Sequence, residues 1–256
     1  MSFSKHPILF EDADLVLVDK PAGVLSHPNP GAKAAPGSCA FEGKYDFNAK
    51  TFATPSGTLW LLHRLDQDTS GVLLAARTEK AARALREAFD AGRVAKHYLA
   101  LVRGIADEKG VWRDHLESSR EGRGGRDGSR VRTRVVRGRA ANAELKFVRR
   151  EVFAAQRVSL LEIELVTGRT HQIRVQAASR QHPIAGDDLY GDFAWNKRLR
   201  KEWGLKRLFL HAASLEFVHP GTRRRVCIES ALPGELERVK GDTSPLVKSV
   251  NTSTPC

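Results

Sequence analysis

Two polar segments of this chain carry the residue types and spacing that chemistry needs. The first is His63-Arg64-Leu65-Asp66-Gln67-Asp68-Thr69-Ser70-Gly71, which packs two carboxylates, an arginine and a histidine between the apolar runs at 59–62 and 71–76. A loop anchored at both ends on buried strands is held rigidly, as a reacting carboxylate requires. The second is Thr167-Gly168-Arg169-Thr170-His171-Gln172-Ile173-Arg174, where a strand ends and a helix begins. Arginines near a helix start oppose the macrodipole, so they point to a phosphate or carboxylate partner. Solvated surface charge is the plain alternative for both segments.

Other chemistries find little support. Gly122, Gly124, Gly125 and Gly128 crowd together without the dinucleotide-binding spacing, and no strand–helix pair flanks them. No HExxH or paired CxxC occurs, so no metal site is expected. Ser70 lies in Thr-Ser-Gly rather than a nucleophile elbow. Cys39, Cys227 and Cys256 are odd in number and far apart, which argues against a disulfide scaffold and fits a reducing cytoplasm.

The elements that must position the two segments are mostly short strands. Residues 15–18 form a β-prone run closed by Pro21 and Gly23; 59–62, 71–76, 97–102, 131–136, 147–148, 158–166 and 209–218 are further strand candidates. Leu161, Ile163 and Leu165 alternate with Glu162 and Glu164, the pattern of a half-buried antiparallel strand. A helix is predicted over 78–91, capped by Thr78 and stopped by Gly92, and a shorter one over 170–179 capped by Thr170. Residues 28–57 read as an extended surface loop, and 117–130 as a mobile arginine-rich loop. The balance predicts an α+β fold: a central, mostly antiparallel mixed sheet with flanking helices and loops. One domain is expected over 1–241, with no separate N-terminal module and a disordered tail over 242–256.

Lys plus Arg number 42 against 30 Asp plus Glu, a net charge of +12 in 256 residues. That excess favours an anionic partner, nucleic acid being the commonest. No apolar run approaches the ~18 residues of a membrane span, and the N-terminus lacks an apolar signal core.

In these motifs the sequence resembles the RluA-type family of RNA pseudouridine synthases. Asp66 stands in HRLDQDTSG, similar to the family's HRLDxxTSG. Lys96-His97-Tyr98-Leu99-Ala100-Leu101-Val102 with Gly104 resembles its K-x-Y-L-A-L-V-x-G strand, and Thr167 to Val175 its third motif. The segments His182-Pro183-Ile184, Gly186-Asp187 and Tyr190-Gly191 follow in the family's order, and the similarity spans roughly residues 8 to 233. The resemblance implies the pseudouridine synthase fold, with a cleft across the sheet. It implies Asp66 as catalytic aspartate, Arg174 as its partner and Tyr98 as the ring against the target uracil. Arg64 would enter the RNA stack where the uridine has left, and His63, Thr69, Arg169 and His171 would line the substrate site. Asp68 occupies a variable position of the motif and is not assigned a catalytic role.

Isomerising uridine detaches the base at N1, turns it and rejoins it through C5, so no cofactor is expected. The partner is RNA, with ribosomal RNA favoured over tRNA; no membrane and no obligatory protein partner are expected, and a monomer is the default. Phosphate contacts are expected from Arg120, Arg123, Arg126 and Arg130, from Lys197 to Lys201, and from Arg223 to Arg225. Two other readings compete: a non-catalytic RNA-binding or ribosome-assembly protein on the same scaffold, and a base-excising DNA glycosylase.

Overall fold

The apolar residues Leu15 to Val18 are divided two and two: Val16 and Val18 join one buried layer, Leu15 and Leu17 another. A strand apolar on both faces belongs inside a sheet covered on both sides. The computed structural model, which describes residues 3–30, 35, 37–121 and 130–242, shows that sheet. Its strands in chain order are β1 (Ile8–Glu11), β2 (Leu15–Lys20), β3 (Lys44–Asp46), β4 (Thr51–Thr54), β5 (Gly57–Leu61), β6 (Ser70–Ala76), β7 (Ala95–Arg103), β8 (Lys109–Glu121), β9 (Arg130–Val136), β10 (Ala143–Phe153), β11 (Val158–Leu165), β12 (Leu210–Val218) and β13 (Arg225–Glu229). The helices are α1 (Glu79–Asp90), α2 (Gln172–Ser179), α3 (Phe193–Glu202) and α4 (Gly234–Asp242).

The main path runs β3-β4-β5-β6-β12-β7-β11-β10-β8-β9, with β2 beside β6, β1 beside β2 and β13 beside β12. Among these strand pairs only β6 with β12 is parallel. The mostly antiparallel α+β architecture expected from the strand pattern is therefore the one found. Helix α1 starts where expected: the Thr78 side chain accepts the Ala81 N–H, and Ala81, Ala82 and Leu85 pack beneath β2 and β6. In β11 the predicted alternation holds for Leu161, Ile163 and Leu165 but not for Ser159 and Leu160, which are both buried. There α3 and α4 cover the second face, through Trp195, Leu199, Leu236 and Val239.

Several expectations need correction. Residues 28–57 are not one extended loop: β3 and β4 form a hairpin, and Cys39, Ala40 and Phe41 are buried. Tyr45 and Phe41 lie against Phe52 at ring-centre distances of 4.7 and 5.8 Å, a small aromatic cluster that hydrophobic periodicity does not reveal. Residues 117–121 are strand rather than loop, continuing β8 opposite β9. Their pairing is polar, with Glu117 across from Arg134 and the hydroxyls of Ser118 and Thr133 2.8 Å apart, and cross-strand pairs of this kind stabilise a sheet without apolar burial. Arg123 and Arg126 lie outside the described residues, as do the side chains of Arg120 and Arg130 and the tail from 243 on; Asp242 closes α4. Helix α2 begins at Gln172 with His171, not Thr170, at the cap position. The charge run 197–201 belongs to α3, whose Trp195, Asn196 and Leu199 are buried.

Candidate active site

Asp66 stands on the turn between β5 and β6, and the segment after β2 clamps that turn through its backbone. The buried Ser26 hydroxyl donates to the Leu65 carbonyl and accepts the Leu65 N–H, each at 2.9 Å. Gly23 N–H reaches the Gln67 carbonyl at 2.9 Å, and Gln67 Nε2 returns to the Gly23 carbonyl at 3.0 Å. Lys20, fully buried at the end of β2, donates to the carbonyls of Pro21, Val24 and Gln67 at 2.9, 2.7 and 2.9 Å. Three acceptors match the three N–H bonds of an ammonium. Burial pushes its pKa down to about 7, against the opposing pull of Asp66 and Asp68. Gly71 ends the motif at φ +113°, and a Cβ there would run into the Ala212 carbonyl, so β6 can approach β12 only with glycine at this place.

Arg174 comes from the first turn of α2, 108 positions further along the chain, and its Nη1 donates to Asp66 Oδ2 at 3.3 Å. Its Nε and Nη2 bind both oxygens of Asp187, each at 2.8 Å. The guanidinium and the Asp187 carboxylate are almost wholly removed from water, with 7% and 1% of their side chains exposed, whereas Asp66 keeps 17%. Burial by itself would raise the Asp187 pKa, but the hydrogen bonds and charge of Arg174 outweigh it, helped by the N–H groups of Tyr190 and Leu189, and hold the carboxyl below its usual range. The Arg174 charge is held by the same pairing despite its burial. The fork is thus fixed by Asp187 and presents its remaining nitrogen to Asp66.

A cavity of about 80 Å³ opens at this junction, lined by Arg64, Asp66, Thr69, Tyr98, Arg169, His171 and Arg174 among others. Arg174 also borders a wider cleft of about 560 Å³ that Asp19, Asp68, Lys206 and Arg207 help to line. The Tyr98 ring is buried on β7; burial raises the hydroxyl pKa and the Asp66 charge raises it further, so this phenol is no base at neutral pH. Thr69 is buried, and its hydroxyl has no hydrogen-bond partner among the described residues. Arg64 and Arg169 are exposed at the cavity, and Arg169 Nε donates to the Asn142 carbonyl at 3.1 Å. His171 adopts the left-handed conformation (φ 53°, ψ 22°), which histidine tolerates better than most side chains. Its Nε2 lies 3.9 Å from Asp66 Oδ1 and its Nδ1 2.9 Å from the Tyr190 hydroxyl.

Of the site residues that the resemblance implies, His63 is the one not brought to this cavity. Its Nε2 accepts the Leu74 N–H at 3.0 Å, and its ring stacks on Phe89 of α1 at 5.4 Å. Burial, and secondarily the Lys96 charge, pushes its pKa down to about 3. Conversely, Asp187, Tyr190 and Lys20 bear on the site, although the resemblance gives none of them a role in it. The first two stand in the Gly186–Gly191 segment, which follows in the family's order but to which the resemblance gives no role, and Asp187 is there one of two adjacent aspartates. Among the described residues, no group of three or more His, Cys, Asp or Glu is placed to hold a metal ion, and no helix is long and apolar enough to cross a membrane.

The chain is 37% identical over 235 residues to the ribosomal large subunit pseudouridine synthase C of Salmonella typhimurium (strain LT2), covering 90% of this chain and 68% of the relative. The protein of the same name from Pasteurella multocida (strain Pm70) is 35% identical over 237 residues, covering 91% and 67%. In fold it matches the human RNA pseudouridylate synthase domain containing 4 with a TM-score of 0.67 at 24% identity, over 93% of this chain and 92% of that one. The family model for RNA pseudouridylate synthase matches residues 14–179, a span that holds both Asp66 and Arg174. With this match and these relatives, the chain belongs to the RNA pseudouridylate synthase family, isomerases that convert uridine to pseudouridine in RNA.

Proposed function

We propose that this enzyme acts on ribosomal RNA of the large subunit, with Asp66 as the reacting carboxylate. The substrate class rests on the relatives named above. The chemical assignment rests on one observation: residues 66 and 174 meet at 3.3 Å on the wall of a cavity that also holds a buried tyrosine ring. A guanidinium facing a carboxylate balances its charge and fixes its orientation, as chemistry at the ribose–base junction needs. Asp66 and the Tyr98 ring line a cavity rather than an open face, so the target nucleotide enters everted to reach them. Eversion costs a few kcal/mol, and stacking on an aromatic ring returns about 1–3 kcal/mol, the role assigned to Tyr98. Arg64, exposed at the cavity, fills the gap left in the RNA stack. Arg169, His171 and Thr69 meet the nucleotide; His63 does not, because its ring is committed to β6 and α1. Residues 1–241 are the catalytic unit, working as a monomer in a reducing cytoplasm without an obligatory protein partner.

The test is to map pseudouridines in total RNA from cells with and without the protein, and from cells carrying Asp66→Asn. The expected result is loss of one or more large-subunit sites in both the deletion and the variant. A full complement of pseudouridines in the variant would leave RNA binding, not catalysis, as the function of the chain.

A further inference from the structure

A phenol has one proton to give. The Tyr190 hydroxyl already accepts the Thr133 N–H of β9 at 2.8 Å, and its second close partner is His171 Nδ1 at 2.9 Å. We propose that Tyr190 is a positioning residue: it donates its proton to His171 Nδ1 and so fixes His171 as the neutral Nε2–H tautomer, with that N–H beside Asp66.

Further observations fit this arrangement. The imidazole ring is set by a left-handed backbone at the start of α2, a conformation retained only where the surroundings over-determine it. Its Nε2 lies 3.9 Å from Asp66 Oδ1, too long for a hydrogen bond and on the wall of the cavity, so this N–H is left for a substrate atom or for the carboxylate as it moves. Burial keeps the ring uncharged at neutral pH, against the pull of Asp66. A neutral donor here adds a hydrogen bond without a second positive charge competing with Arg174 for the carboxylate. The Tyr190 ring also lies against the Arg174 guanidinium, 5.4 Å from ring centre to Cζ, so one side chain touches both partners of Asp66. Because β9 supplies the N–H that occupies the hydroxyl oxygen, seating of the β8–β9 hairpin and the proton position on His171 are linked.

The inference rests on the reading of Asp66 given above, but its first readout does not. In the full chain labelled with ¹⁵N-histidine, the ring shifts of His171, assigned by comparison with His171→Gln, report the tautomer directly. Nε2–H is expected in the wild type, with loss of that preference in Tyr190→Phe, which keeps the ring against Arg174. Turnover on large-subunit RNA should fall about tenfold in Tyr190→Phe, through the lost bond to His171, with KM little changed; the lost acceptor of the Thr133 N–H should show in stability instead. The side-chain amide introduced by His171→Gln keeps a donor near the Nε2 position without a tautomer to fix, so adding Tyr190→Phe to His171→Gln should cost nothing further. An Nδ1–H wild type, an unchanged tautomer in Tyr190→Phe, or an equal loss of turnover in both backgrounds would each overturn the proposal. A correct tautomer with no activity in any form would overturn the reading of Asp66 instead.

Discussion

Arg174 binds Asp187 through two nitrogens at 2.8 Å each and turns its third towards Asp66 at 3.3 Å. The tighter partner is thus the one buried away from the cavity, and the cavity carboxylate holds the weaker contact. Asp187→Asn keeps the shape and removes the charge that fixes the fork. Breaking a buried pair costs about 3–5 kcal/mol, so urea denaturation should show a loss of that order. Turnover should fall because the released guanidinium no longer has one orientation. Unchanged stability would mean that Asp187 is not what holds Arg174.

Thr69 offers a cleaner separation of binding from folding. Its hydroxyl is buried on the cavity wall without a partner among the described residues. Thr69→Val keeps the shape and removes no hydrogen bond of that hydroxyl among the described residues, so stability should hold or rise slightly. Pseudouridine formation should weaken through KM if that hydroxyl meets the nucleotide. A variant that unfolds more easily and turns over normally would place the hydroxyl's role inside the protein.

His63 predicts an acid limit with a definite sign. Its folded-state pKa of about 3 lies below its ordinary value of 6.5, because burial disfavours the charged ring. The unfolded chain therefore binds the extra proton first as pH falls. The neutral ring's contribution is complete above pH 6.5 and declines between pH 6.5 and about 3. Each tenfold difference in proton affinity between the folded and unfolded chains is worth about 1.4 kcal/mol, reduced here because the side chain keeps some solvent contact. His63→Gln should show a shallower loss of stability than the wild type across that window in chemical denaturation at stepped pH. Parallel curves would show that His63 does not titrate with unfolding.

The parts of the molecule legible in sequence are those encoded by contiguous pattern. The β2 and β6 runs, the Thr78-capped helix and the HRLDQDTSG turn each carry their signal within about ten residues, and each forms where expected. What was not legible depends on contacts between distant segments. The hairpin at 44–54 is held by rings that gather only in three dimensions, and β8 extends to Glu121 because β9 lies opposite it. His63 is the instructive case within the motif: as the strand direction changes around it, its ring turns back over β6 towards Phe89 while Arg64 and Asp66 face the cavity. Neither motif contains Asp187 or Tyr190, although both shape the surroundings of Arg174.

Lys20 joins the end of β2 to the turn that carries Asp66, and its removal should be felt at both. Its three carbonyl partners belong to Pro21, Val24 and Gln67, and the last of these adjoins Asp66 in the chain. Lys20→Met fills the space but removes the lysine donor from all three carbonyls, leaving Gln67 with the Gly23 N–H. An unsatisfied buried polar group costs about 1–3 kcal/mol, and relaxation of a loop that can reach water will recover part of that sum. Lys20→Arg should not rescue, because a planar fork cannot aim three donors at three carbonyls converging on one point. Both variants should lose stability in urea titrations. Both should also lose single-turnover rate on RNA, since the Gln67 carbonyl then keeps only the Gly23 N–H among its present donors. Full stability and rate in Lys20→Met would show that the Ser26 and Gly23 clamps hold the Asp66 turn without the lysine.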